Sequence, residues 1–110
     1  MEPNLRPCPP LEELSDLELC YIAACELGKY FLAKGYLESS SVPSASDKAG
    51  LAMAAVNELG ISLAYGIDVF KASKTTGEGQ ISFVLAQTAE KAVLLLVAKL
   101  ANYTTLPRTL

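Results

Sequence analysis

The residues of this chain that could carry chemistry are few, and none of them is a histidine. Without an imidazole there is no Ser-His-Asp or Cys-His arrangement. Acid–base work then falls to carboxylates. Glu58 and Asp68 stand out because they interrupt the most apolar stretch of the chain. On one helix, ten residues apart, they sit about 80° off a common face rather than side by side. Three cysteines are present, Cys8, Cys20 and Cys25. With no histidine and no C-x-x-C spacing they fit no zinc pattern. Five helical residues separate the Cα atoms of Cys20 and Cys25 by about 8 Å, beyond disulfide reach. They read as reduced thiols in a reducing cytoplasm. Cys25 has no basic residue in the turn before it to favour its thiolate. Thr75-Thr-Gly-Glu-Gly79 has two glycines but lacks the lysine and spacing of a phosphate loop. No catalytic residue, metal ligand or cofactor-binding residue is therefore expected.

Two other sets of residues could recognise a partner or a ligand. Tyrosines are amphipathic and can line a cleft. Tyr21 and Tyr65, with Glu58 and Asp68, are the candidate ligand contacts. Small residues four apart let helices approach closely, as in Ala24-x-x-x-Gly28 and Gly60-x-x-x-Ala64. Gly60, Leu63, Ala64 and Ile67, with Leu94 and Val97 further on, form the candidate self-association face.

The elements that must position these residues read as helices. Ser15 followed by Glu18 is a capping box, with Asp16 and Glu18 at the positive end of the helix dipole. Leu17, Tyr21, Ala24, Gly28, Phe31 and Leu32 then make a helical stripe. The first helix is expected over 15–37. A serine-rich connection with Pro43 follows, and Ser44 or Ser46 is the expected cap of a second helix over 47–72. Met53, Val56, Gly60, Leu63, Ile67 and Phe70 form its stripe. A third helix is expected over 80–103, on Leu85, Ala89, Ala92, Val93, Leu96, Leu100 and Tyr103. The fold expected is all-α: an up-down-up three-helix bundle, completed by dimerisation into a larger helical bundle, with an extended proline-rich lead over 1–14 and a tail over 104–110.

Leu27-Gly28, Phe31 and Gly35 resemble the first helix of a tetratricopeptide repeat. Ser40, Ser44 and Asp47 fall where the second helix of such a repeat needs core residues. No repeat family is assigned on that resemblance.

Composition bounds the function. The chain has 110 residues, one domain's worth, with 51% hydrophobic and 19% charged residues. That apolar surplus calls for a partner surface. The net charge is −3, and no two of the nine basic residues are adjacent. Nucleic-acid binding needs clustered lysine and arginine, so none is expected. The alanine- and glycine-rich stretch 49–67 is too poor in leucine and isoleucine to insert into a membrane. The first ten residues carry four prolines and no apolar signal region. The expectation is a cytoplasmic, non-enzymatic interaction or regulatory module acting as a homodimer. The alternatives are a small-ligand-binding bundle with a tyrosine-lined pocket, or an accessory, antitoxin-like partner of another protein.

Overall fold

The computed structural model describes residues 4–35 and 44–109. The first helix forms much as its local signals dictate. α1 spans Asp16–Ala33, and the Ser15 hydroxyl accepts from the Glu18 amide while Glu18 accepts from the Ser15 amide. It ends at Lys34, with Gly35 at φ +88°. Residues 36 and 37, expected in this helix, lie outside the described residues. A single 3-10 turn at Leu11–Glu13 precedes α1.

The second expected helix breaks in the middle. α2 covers only Lys48–Leu59, and its cap is Asp47 rather than Ser44 or Ser46. Gly60 stops it in the left-handed region, at φ 69°. A glycine there costs no Cβ clash, so Gly60 is a helix terminator and not a helix-interior gap. Beyond it the apolar pattern is read with a period of two. β2 (Ser62–Tyr65) and β3 (Phe70–Thr75) pair antiparallel, with Leu63 opposite Ala72 and Tyr65 opposite Phe70.

The third expected helix also splits. Thr76 to Gln80 make a hairpin turn with Gly79 at φ +79°, the geometry of a three-residue hairpin loop. β4 (Ile81–Ala86) then returns against β3, with Phe83 opposite Ser73. Only after Thr88 caps it does α3 begin, over Ala89–Ala101. The tail is a strand as well: β5 (Thr105–Pro107) pairs antiparallel with β1 (Leu5–Pro7).

The all-α three-helix bundle is therefore corrected to an α/β fold. Among the described residues it has three α-helices, a three-stranded antiparallel sheet in the order β2-β3-β4, and a two-stranded sheet β1-β5. Helical periodicity misled because Leu63, Ile67 and Phe70 fit a 3.6-residue stripe by residue type, while Gly60, Gly66 and Gly79 set the turns.

α3 is the centre of the molecule. It packs against α1 and α2 on one side and against β3 and β4 on the other. Ala92 through Ala98 are consequently buried without a break. Leu19, Ile22 and Leu27 of α1, with Leu51 and Ala55 of α2, complete the helical side of the core. Among the described residues no helix is long and apolar enough to cross a membrane.

Candidate interaction surface

Residues opposite one another in an antiparallel sheet share a face. One face of the sheet carries the Phe70–Ala86 and Ala72–Val84 pairs. Ala72 and Val84 are buried, and α3 lies over them. The other face carries Lys71–Leu85, Ser73–Phe83 and Thr75–Ile81, with Ala64 beside Lys71.

On β4 this assignment runs against the usual order. The side chains turned inward are Ser82, Val84 and Ala86. Those turned outward are Ile81, Phe83 and Leu85, which are 65%, 46% and 54% exposed. An antiparallel sheet with one solvated face ordinarily puts its polar side chains there. The physical reason for the reversal lies in α3. A leucine-rich helix approaching the sheet leaves little room beneath β4 and the middle of β3, so the large residues of β4 go outside.

β4 is also an edge strand. Lys99, near the end of α3, reaches around that edge. Its Nζ donates to the Phe83 carbonyl at 3.1 Å and lies 5.8 Å from the Phe83 ring. Lys71 Nζ sits 4.7 Å from the same ring. The result is an apolar stripe flanked by two ammonium groups. Contiguous exposed apolar surface with a polar rim marks an interaction site.

The residues expected to form a helical self-association face are dispersed. Leu94 and Val97 are 0% and 2% exposed, inside the chain's own core. Gly60 ends α2, so Gly60-x-x-x-Ala64 is not a helical groove. Ala64 lies on the outer face of the sheet, on β2, separated from the β4 stripe by Lys71 of β3. Ile67 is 94% exposed at the β2–β3 turn. Leu63 joins Met53, Val56 and Val93 in lining an apolar cleft of about 280 Å³ between α2, β2 and α3.

The four expected ligand contacts stand on four separate segments. Tyr21 is on α1 and Glu58 is half-buried on α2. Tyr65 packs across strands on Phe70, with ring centroids 4.7 Å apart and the planes tilted by 53°. Asp68 sits in the β2–β3 turn at φ 58°, a left-handed position that aspartate tolerates better than most residues. Its place is explained by the turn.

Sequence reading missed a polar cluster where α1 meets the end of α3. Tyr103 donates to Glu26 at 2.9 Å, and Lys29 pairs with the same Glu26 oxygen at 3.0 Å. The Lys29 ammonium also lies over the Tyr103 ring. One turn away, the neighbouring Cys25 side chain and then burial push the Tyr21 phenol above its usual range. Burial first, then the Glu26 carboxylate, holds the Tyr103 phenol well above its usual range. It is thus a hydrogen-bond donor and not a base. Tyr21, Cys25, Lys29 and Tyr103 line an open cleft of about 570 Å³. The i, i+4, i+8 spacing of Tyr21, Cys25 and Lys29 was visible in sequence. Their partner Tyr103, 77 residues from Glu26, was not. Among the described residues no group of three or more histidine, cysteine or acidic side chains is placed to hold a metal ion.

No protein-family model, curated protein or solved structure matches this chain.

Proposed function

We propose that this chain is a non-enzymatic interaction module that self-associates as a homodimer through the β4 side of its three-stranded sheet. One observation carries the reading. β4 turns Ile81, Phe83 and Leu85 to solvent while burying Val84 and half-burying Ser82 and Ala86. A strand that keeps its larger apolar side chains outside leaves them for a second surface to cover.

The test is sedimentation equilibrium on the full chain, comparing the wild type with Leu85→Lys. The expected result is a wild-type dimer at micromolar concentration and a Leu85→Lys monomer with unchanged helix content. A wild-type chain that stays monomeric at a hundred micromolar would refute the reading. So would a dimer indifferent to Leu85→Lys.

A second reading rests on the polar cluster. The cleft of about 570 Å³ beside Tyr103 and Lys29 is large enough for a small molecule with a hydrogen-bond acceptor. A thermal-shift screen of small carboxylates tests it, with Lys29→Met as control, because the one Tyr103 proton is already given to Glu26. A shift that disappears in Lys29→Met supports this reading, and no shift in the wild type sinks it.

A further inference from the structure

The edge of β4 is both exposed and held shut, and both properties meet at Phe83. The Thr76 amide donates to the Gln80 carbonyl, so Gln80 faces β3. Backbone groups alternate sides along an antiparallel strand. Ser82, Val84 and Ala86 therefore bond to β3, while Ile81, Phe83 and Leu85 aim their amides and carbonyls at the free edge. The Lys99 hydrogen bond to the Phe83 carbonyl agrees with that alternation. The three residues whose backbone groups face the edge are thus the three with exposed apolar side chains.

We propose that two copies pair antiparallel along β4 about Phe83, and that Lys99 is a clip that must let go of the Phe83 carbonyl for them to do so. This rests on the self-association reading above and names its geometry and its control.

The two-fold register of β4 and the charges it brings together argue for a second copy as the occupant. Ile81, Phe83 and Leu85 are evenly spaced about Phe83. A two-fold axis there sets Ile81 of one protomer opposite Leu85 of its partner, with every free backbone group in pairing register. The six apolar side chains fall side by side on one face of a six-stranded sheet. The same register brings the hairpin tip carrying exposed Glu78 alongside Thr88 of the partner, the N-terminus of α3. A carboxylate is attracted to that positive dipole end and to Lys91 in its first turn. The clip fits the known use of lysine to guard a strand edge. Lys99 reaches its carbonyl from a helix end, where its ammonium also favours the negative dipole.

The experiment uses Lys99→Met, which keeps a flexible stem over Phe83 and removes the donor. It also uses Leu85→Pro, whose lost amide points away from β3 and so removes no bond of the β3–β4 ladder. Dimer affinity comes from sedimentation equilibrium, and backbone protection from hydrogen exchange. Each clip is an exposed bond worth about threefold, so losing two tightens the Lys99→Met dimer about tenfold. The amides of Ile81, Phe83 and Leu85 should become protected on dimerisation. Leu85→Pro should abolish association in both the wild-type and Lys99→Met backgrounds.

If Leu85→Lys breaks the wild-type dimer but Lys99→Met does not tighten it, the clip is overturned and self-association stands. If a dimer forms and those three amides still exchange freely, edge pairing is overturned, whatever becomes of the proline variant's folding. If both the wild type and Lys99→Met are monomers, both proposals fall.

Discussion

β4 and α3 are joined by Gln87 and Thr88 alone, yet they treat apolar residues in opposite ways. α3 buries every side chain from Ala92 to Ala98. β4 exposes its three largest. The difference follows from position and not from composition. α3 has layers on both sides, so its middle, from Ala92 to Ala98, is enclosed all round. β4 has one layer beside it and an open edge, and the helix above leaves little depth on its inner face. Hydrophobicity alone therefore does not say which side of a strand is the inside. The neighbour's size does.

The sharpest way to break this comparison is the same deletion on the two elements. Leu96 is fully buried on α3. Leu96→Ala should remove about 2–5 kcal/mol of stability, the transfer of the lost methyls plus the cavity they leave. Chemical denaturation monitored by circular dichroism measures it. A loss under about 1 kcal/mol would mean that α3 is not the centre of the core.

The next prediction tests why β4 is inverted. If α3 permits only small residues beneath it, enlarging one of them must cost. Ala72 is fully buried on the central strand β3, opposite Val84. Ala72→Leu adds apolar volume and should nevertheless destabilise by about 1–3 kcal/mol through overpacking. Stabilisation by this change would show spare room on the inner face, and the steric account of β4 would fail.

Legibility followed the same divide. α1 was readable because its signals are local: Ser15 and Glu18 are three residues apart, and the capping box forms as written. The identity of Gly60 as a stop was not readable, because a helix-interior glycine and a left-handed cap have the same letter. The strands needed partners far away to make sense. Thr105–Pro107 is a strand only because Leu5–Pro7 lies beside it, with Arg108 donating to the Leu5 carbonyl. The surplus of apolar residues on the second and third segments was legible. Its location was not, since Leu94 and Val97 turned inward while Ile81 and Phe83 turned outward.

The contrast between inside and outside extends to charge. Glu18 is a buried carboxylate, held by the Ser15 amide and paired with Arg6 of β1. The Ser15 amide bond is the largest influence on it, and its pKa is lowered below 4.5 despite burial, which acts the other way. A lowered folded pKa means that the unfolded chain takes up the proton first as pH falls. The stabilisation is complete above the unfolded value and fades through the lowered folded value. Glu18→Gln should therefore flatten the acid limb of stability below about pH 4.5 while keeping helix α1. Ser15→Ala should cost about 1 kcal/mol at neutral pH through the lost cap. An acid limb unchanged in Glu18→Gln would assign the acid sensitivity to other carboxylates.

The smallest expected effect completes the pair with Leu96. Leu85 is also a leucine, but more than half of it faces water. Leu85→Ala removes the same atoms and should change monomer stability by less than about 1 kcal/mol, because little buried area is lost and no cavity forms. The value must be read at low protein concentration, where mass action no longer adds a partner's contribution to the folded state. Repeating the melt at high concentration gives a second number. If β4 is covered by a second copy, the cost of Leu85→Ala rises with concentration, and that of Leu96→Ala stays nearly constant. Equal costs at every concentration would return Ile81, Phe83 and Leu85 to the status of ordinary exposed side chains. β4 and α3 would then differ only in depth.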